Sequence, residues 1–310
     1  MNGVDLTPFR ELYPWDGHFL DRDGVRMHYL DEGEGEPMLL LHGNPTWSFY
    51  WRHLVAGLSD TYRVIVPDHV GMGLSDKPDD EHYSYTLASR VADIDALLDH
   101  LGIEGEVTLI AHDWGGMIGL GWAVRNVARI RRLVLLNTAG FLLPEGRALP
   151  WQLKLIRRFP SSFTVRGLNA FVRGAVHSCS RRPGRMTAAV RAGYMAPYDS
   201  WANRIAVHRF VQDIPLGPGD PAHELVQEVE SGLSAFENIP VQIFWGEQDF
   251  VFDAHFLAEW RRRLPSAEVH SFPDCGHYIL EDAHEEITPL LREFLRRNPS
   301  QAGGDSPPMA

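Results

Sequence analysis

Short apolar runs alternate with longer segments of helical periodicity along most of the chain. Residues 86–101 carry apolar side chains at helical spacing, and Gly102 follows where a helix commonly ends. A last helix is predicted at about residues 285–296, whereas residues 1–20 are expected to be irregular. The short runs fit strands buried in a parallel sheet, and they predict strands at residues 25–30, 38–41, 64–66, 107–111, 133–136, 241–245 and 268–272.

The strand pattern is interrupted once, between residues 141 and 238. This segment holds eight prolines and many arginines and aromatic residues, but no strand-like run. A helical cap inserted into an alternating β/α pattern explains why this segment has no strand-like run. We therefore predict an α/β fold with a doubly wound, mostly parallel sheet. Its parts are a core at 20–140, a helical cap at 141–238, the rest of the core at 239–297 and a disordered tail at 298–310.

Composition narrows the class of protein. The chain has 310 residues, 44% of them hydrophobic, and a net charge of −12, which argues against a nucleic-acid partner. The two cysteines, Cys179 and Cys275, form neither a disulfide framework nor a metal motif, so a reducing, cytoplasmic setting is expected. Residues 1–10 lack the features of a signal peptide. The one long apolar window contains His112 and Asp113, which a membrane span tolerates poorly.

The strongest chemical signal is the sequence His-Asp-Trp-Gly-Gly at residues 112–116. It lies between the predicted strand at 107–111 and a segment of small and apolar residues suited to a helix. This arrangement resembles the nucleophile elbow of an α/β-hydrolase, with Asp113 as the nucleophile. A carboxylate attacks an alkyl carbon and leaves an alkyl ester, so we expect displacement at a saturated carbon or ring opening. The alternative is a buried Asp in a glycine-rich turn that binds phosphate.

Two further residues complete a triad in the chain order nucleophile, acid, base. Asp249 follows the strand at 241–245, and His277 follows the last strand, so both are expected at the carboxyl edge of the sheet. His277 would activate water, and Asp249 would hold the imidazole in the required tautomer. Glu247 and Asp253 are nearby rivals for the acid.

Other polar residues follow predicted strands. Asn137 stands where some relatives carry the acid, but an amide cannot replace a carboxylate, which favours Asp249. Asn44 and Trp114 are candidate donors to an anionic leaving group, through the side-chain amide and the indole N–H; the alternative is that Trp114 only packs. No cofactor or metal is implied, because His42 and His69 lack the spacing of metal ligands.

These motifs resemble those of the haloalkane dehalogenases of the α/β-hydrolase superfamily. The resemblance is carried by residues 42–47, 67–75 and 112–116, and the Asn/Trp pair with its Asp acid is similar to their third subfamily. The β-lactone decarboxylases of bacterial long-chain olefin biosynthesis share these motifs. The sequence resembles these decarboxylases more closely over residues 68–80, 112–123, 196–216 and 268–282.

The resemblance, which spans about residues 20–297, implies conversion of a cis-3,4-dialkyl β-lactone into a cis-alkene and carbon dioxide. It also implies a small hydrophobic substrate with long alkyl chains, and assembly with other olefin-biosynthesis enzymes; a homo-oligomer stays open. The main alternative is a haloalkane dehalogenase that uses the same triad. An epoxide hydrolase is a weaker alternative, because its usual ring-opening pair of cap tyrosines cannot be assigned and Tyr194 and Tyr198 are the only candidates. A non-enzymatic sensor is weaker still.

Two features of the cap allow more than one interpretation. A group of arginines forms either a basic face for a partner or membrane, or a solvated helix face, which the acidic overall charge favours: Arg157, Arg158, Arg181, Arg182 and Arg185. A second group lines an apolar pocket or forms the cap's own core: Trp151, Phe163, Phe171, Tyr194 and Met195.

Overall fold

An eight-stranded sheet forms the centre of the protein in the computed structural model, which describes residues 3–148, 151, 154 and 161–299. The strands follow the order β1-β2-β4-β3-β5-β6-β7-β8. β2 runs antiparallel to β1 and β4, and all other neighbours are parallel. Every residue of β5 is buried. The strands are β1 His18–Arg22, β2 Val25–Glu32, β3 Pro37–Leu41, β4 Arg63–Pro67, β5 Val107–Asp113, β6 Ile130–Thr138, β7 Val241–Gly246 and β8 Glu268–Phe272.

Helices cover the sheet and form the inserted segment. Helix α2 packs against α3, and α1 packs against α9. No helix in the described ranges is long and apolar enough to cross a membrane. The helices are α1 Arg52–Leu58, α2 Leu87–His100, α3 Trp114–Ala123, α4 Ala170–Ser178, α5 Ala188–Met195, α6 Ile205–Gln212, α7 His223–Gly232, α8 Ala254–Arg263 and α9 Ile279–Arg297.

The strand predictions are confirmed, with small extensions at the ends. The predicted helix at 86–101 is present as α2, where the Thr86 side chain accepts a hydrogen bond from the Ser89 N–H and caps the first turn. The expectation that residues 1–20 are irregular is wrong at 18–20. They begin β1, an edge strand that buries only Leu20, so no apolar run marks it. The last helix begins at Ile279, earlier than predicted, and is kinked at Ala283.

The inserted segment between β6 and β7 consists of helices joined by loops and turns over its described residues. It contains α4 to α7 and a π-helix at Ser162–Gly167, and no strand among its described residues. The domain bounds at 141 and 238 stay predictions. The predicted tail lies outside the described residues from 300 onward.

A buried ion pair ties the cap to the core. Arg52 on α1 forms a bidentate pair with Glu281 on α9, with both N–O distances at 2.6 Å. The Tyr194 hydroxyl of α5 donates to the same carboxylate at 2.5 Å. Because all three side chains are buried, each charge depends on its partner for compensation. The pair therefore fixes α5 over the start of α9.

Replacing Arg52 by Met should cost about 3–5 kcal/mol of unfolding free energy, because Glu281 would keep a buried, uncompensated charge. The control is Arg125→Met, which breaks the exposed pair between Arg125 and Glu228 and should cost less than about 1 kcal/mol. Urea unfolding of both variants measures the difference. Equal losses of unfolding free energy in the two variants would show that the buried pair contributes no more to stability than the exposed pair.

Candidate active site

Asp113 stands on a sharp turn between β5 and α3. Its backbone adopts φ 54° and ψ −129°, a combination that costs a non-glycine residue about 1–3 kcal/mol. The Thr138 hydroxyl at the end of β6 donates to the Asp113 carbonyl oxygen at 2.5 Å and helps to hold this conformation. The turn directs the Asp113 carboxylate into a cavity between core and cap.

The chain packs around this turn more closely than side chains would allow. A Cβ atom on Gly115 would lie 2.0 Å from the Leu41 carbonyl oxygen, and one on Gly43 would lie 1.9 Å from Asp113 Oδ1. Only glycine fits at either position. Because Gly43 leaves this space, the Asn44 N–H approaches and donates to Asp113 Oδ1 at 2.7 Å.

The structure brings the three predicted triad residues together. The His277 Nδ1–H donates to Asp249 Oδ2 at 2.7 Å, and His277 Nε2 lies 3.5 Å from Asp113 Oδ2. The second Asp249 oxygen accepts a hydrogen bond from the Val251 N–H at 2.7 Å. All three side chains are nearly buried, with exposed fractions of 6% for Asp113, 3% for Asp249 and 4% for His277. This is the geometry of a nucleophile, a base and an orienting acid.

The electrostatics of the triad follow from two carboxylates around one imidazole. Burial alone would lower the pKa of His277, but the charge of Asp249 and the contact with Asp113 outweigh it and raise the pKa to about 10. Burial would likewise raise the pKa of Asp113, yet the hydrogen bond and charge of His277 lower it. At neutral pH the resting site therefore holds an imidazolium between two carboxylates. An ester on Asp113 would remove one negative charge. The imidazolium of His277 would then lose its proton more readily.

Asn137 holds the acid in place, a role that the sequence did not indicate. Its amide donates to Asp249 Oδ2 at 3.0 Å and to the Gly246 carbonyl at 3.1 Å, and its Oδ1 accepts from the Gly246 N–H at 2.8 Å. The signal that could have found it is its place at the carboxyl end of β6, because β6 and β7 are neighbours. An amide suits this position because it both donates and accepts.

The two rivals for the acid lie elsewhere. Asp253 caps α8 by accepting from the His255 N–H at 3.1 Å, and it pairs with Arg147 Nε at 2.8 Å. Glu247 is exposed. Neither contacts His277 among the described residues, so Asp249 is the carboxylate in position.

Asp282 joins the loop of His277 to the cap, and sequence reasoning missed it. Its carboxylate is fully buried and accepts from the Gly276 N–H at 2.8 Å, next to His277. It also accepts from three groups of the cap, which are Ser180 Oγ at 2.6 Å, Arg181 N at 3.0 Å and Arg182 N at 3.1 Å. The position of the histidine therefore depends on a cap segment far away in sequence.

His112, at the end of β5, also supports the loop that carries His277. Its Nε2–H donates to the His277 carbonyl at 2.8 Å, and its ring stacks on Tyr50 with 4.4 Å between ring centroids. Burial lowers the pKa of His112 to about 3, so its imidazole is neutral. His112 therefore acts as a hydrogen-bond donor that stays uncharged at neutral pH.

The two candidate anion donors line the cavity beside Asp113. The Asn44 amide uses one N–H to bond the Val207 carbonyl of α6 at 3.1 Å, which leaves its second N–H. The Trp114 ring packs against Phe210 at 5.4 Å, and its indole N–H finds no acceptor in the described part of the chain. Both groups can therefore donate to an anion formed next to Asp113.

The cavity has a volume of about 460 Å³ and mostly apolar walls. Of the cap residues singled out in the sequence, Phe171 lines it, Tyr194 is buried elsewhere against Glu281, and Trp151 and Phe163 are exposed. Tyr198 does not line it either. Among residues 3–148, 151, 154 and 161–299, no three His, Cys, Asp or Glu side chains are grouped to hold a metal ion. Core and cap both contribute apolar walls, including Met117, Phe141, Leu143, Phe171, Ile214, Phe250 and Phe252.

Asp249→Asn should lower the pKa of His277 from about 10, because the charge of Asp249 is the largest effect that raises it. NMR titration of the imidazole measures the change. Asp253→Asn is the matched control and should leave the pKa of His277 where it is, since Asp253 pairs with Arg147. An unchanged pKa in Asp249→Asn would contradict the electrostatic account.

Comparison with known proteins agrees with this fold. The family model described as the alpha/beta hydrolase fold matches residues 36–284, and the chain belongs to this family. It is 54% identical to the cis-3-alkyl-4-alkyloxetan-2-one decarboxylase of Xanthomonas campestris pv. campestris, over 90% of this chain and 95% of that protein. It is 52% identical to the protein of the same name from Shewanella oneidensis, over 92% and 89% of the two chains.

A solved structure shows the same architecture. The haloalkane dehalogenase DatA from Agrobacterium tumefaciens C58 superposes with a TM-score of 0.80 at 25% identity, covering 92% of this chain and 97% of that one. The predicted α/β-hydrolase fold and the resemblance to both groups are confirmed.

Proposed function

We propose that this protein is a cis-3-alkyl-4-alkyloxetan-2-one decarboxylase, which converts a β-lactone into a cis-alkene and carbon dioxide with Asp113 as nucleophile. The site supports attack by a carboxylate on a saturated carbon in an apolar cavity. The observation that carries the choice of substrate is the identity of 52–54% to two decarboxylases over most of the chain. The haloalkane dehalogenase of Mycolicibacterium paratuberculosis shares 35%.

In the first step, Asp113 attacks the ring carbon that bears the lactone oxygen, from the face opposite to that oxygen. A bond forms between this carbon and a carboxylate oxygen of Asp113, and the ring carbon–oxygen bond breaks. Its electron pair stays on the ring oxygen, which becomes part of a free carboxylate. Asn44 and Trp114 are the donors that would receive this anion, as they line the cavity beside Asp113.

In the second step, the new carboxylate leaves as carbon dioxide. The electron pair of the carbon–carboxyl bond forms the alkene, and the bond to Asp113 breaks, which restores its carboxylate. Because the ring oxygen and the carboxyl carbon were on one face, the Asp113 oxygen lies antiperiplanar to the departing carboxylate. Anti elimination then turns a cis lactone into a cis alkene, and no water or external base is consumed.

His277 has a different task here from that in a hydrolase. As an imidazolium at neutral pH it stabilises the anionic form of Asp113, both before attack and as Asp113 departs. A dehalogenase would instead need His277 to deprotonate water and cleave the ester. The second candidate function is that of a haloalkane dehalogenase, which the 3.5 Å approach of His277 to Asp113 also suits.

We also infer the setting of the reaction. The apolar cavity walls suit a small lipophilic substrate with alkyl chains. Both cysteines are free, which supports a reducing, cytoplasmic location. Assembly with other olefin-biosynthesis enzymes is expected from the resemblance.

Purified protein should form cis-alkene from a synthetic cis-3,4-dialkyl β-lactone and release little bromide from 1-bromohexane. Gas chromatography measures the alkene and its geometry, and a colorimetric assay measures bromide. Asp113→Ala should lose at least about a thousandfold in alkene formation, as expected on removal of a nucleophile. Asp253→Asn, with the same type of side chain near the site, is the control and should keep activity. Trans alkene from the cis lactone would overturn the anti elimination.

His277→Ala separates the two candidate functions. A decarboxylase should still form alkene in a single turnover, more slowly, because no water attacks the intermediate. A dehalogenase should stop at an alkyl ester on Asp113, which mass spectrometry of the intact protein detects. Fast bromide release by the native protein, with ester trapped in His277→Ala and no alkene from the lactone, would make this protein a dehalogenase.

A further inference from the structure

A cluster of large apolar side chains is exposed on the cap. Phe163 is 56% exposed, Leu168 54% and Trp201 47%. Phe163 and Trp201 meet at Gly167, since a Cβ atom there would lie 3.3 Å from the first ring and 3.6 Å from the second. Leu168 is the next residue. Soluble proteins seldom leave such groups together in water without a partner.

Arginines surround this cluster. The Arg166 guanidinium lies 4.7 Å from the centre of the Trp201 ring, and its Nε donates to the Trp201 carbonyl at 3.1 Å. Arg173 is exposed, and Arg204 is buried nearby, where burial and the charges of Arg173 and Arg166 lower its pKa against the opposing charge of Asp199. None of the three forms an ion pair with a carboxylate in the described part of the chain. We call Phe163, Arg166, Leu168 and Trp201 the cap patch.

The part of the sequence that contains the cap patch is basic, whereas the chain as a whole is acidic. Residues 151–209 contain eleven Lys or Arg and one acidic residue, Asp199, although the whole chain has a net charge of −12. Core carboxylates neutralise part of this excess, through pairs of Arg182, Arg185 and Arg209. Among the described residues, Arg166, Arg173 and Arg204 form no such pair, although the charges of Asp80 and Asp199 act on the pKa values of Arg166 and Arg204. Its charge therefore complements an anionic surface.

The cap patch adjoins the opening of the cavity. Leu168 is followed after one residue by α4, whose residues Ala170 and Gly174 line the cavity and are exposed to solvent. A molecule held at the cap patch is thus close to the route toward Asp113.

We propose that the cap docks on an anionic lipid surface through the cap patch. Indole and phenyl rings settle at the level of the lipid headgroups, and arginines pair with anionic headgroups. Exposed aromatic rings interleaved with unpaired arginines favour this partner over an acidic protein. The docking is independent of the reaction; its use, the uptake of a lipophilic substrate from the lipid, rests on the proposed function.

Sedimentation of the full chain with vesicles tests the docking. The protein should bind vesicles of phosphatidylglycerol and phosphatidylcholine, bind pure phosphatidylcholine less, and dissociate in 0.5 M salt. Trp201→Ser and Arg166→Glu should each weaken binding about tenfold, the latter because a charge near the surface changes sign.

Matched controls lie outside the cap. Phe19→Ser removes a ring of similar exposure, 46%, which also packs under an arginine, Arg26 at 5.0 Å. Arg262→Glu reverses an exposed charge on α8. Both should leave vesicle binding unchanged. Equal loss in controls and cap variants, or no preference for phosphatidylglycerol, would overturn the proposal.

Two measurements distinguish the remaining outcomes. Sedimentation without lipid reports self-association; if the cap variants change only this, the cap patch binds a second copy and the proposal is wrong. Turnover of a short-chain, water-soluble lactone reports the reaction, and the cap variants should leave it unchanged. Docking without lactone turnover would leave this proposal standing and overturn the proposed function.

Discussion

The strained backbone of Asp113 can exist only because its neighbours leave room for it. β5 lies between β3 and β6, and each of these strands contributes at its carboxyl end. After β3, Gly43 admits the carboxylate and Asn44 donates to it; at the end of β6, Thr138 holds the turn. The order of the strands is thus part of the site, because a different neighbour would bring neither contact. The other groups of the cavity are arranged around this carboxylate.

The charge state of the triad explains how one arrangement serves different chemistries within a family. Two carboxylates keep His277 protonated in the resting site. Once Asp113 carries an ester, one of these negative charges is gone, and the imidazole can give up its proton. A hydrolase depends on that change, whereas an elimination that restores the Asp113 carboxylate needs only the imidazolium. The outcome then depends on whether the bound intermediate carries a carboxylate of its own to lose.

Local sequence predicted the strands, the elbow and the place of each triad residue after its strand, because each of these features depends on residues close together in the chain. Asp249 and His277 lie in the loops after β7 and β8, so a strand pattern is enough to place them at the carboxyl edge of the sheet. The role of Asn137 in holding Asp249 was missed because it depends on β6 lying beside β7, which no local pattern reports. Asp282 was missed for the same reason, since its partners are about a hundred residues away. β1 was not predicted because a short edge strand with one buried residue has almost no apolar pattern in its sequence.

The hydrogen bonds of Asp282 to residues 180–182 and to Gly276 mean that the cap is not structurally independent of the core. An inserted cap is in principle a unit that can be exchanged between relatives to alter selectivity. Here the backbone of the cap is also a support for the loop that carries His277, through a further bond from the Tyr278 N–H to the Cys179 carbonyl at 2.8 Å. A chimera that replaces the cap must therefore carry residues 274–282 with it, or the graft will misplace the histidine of its host.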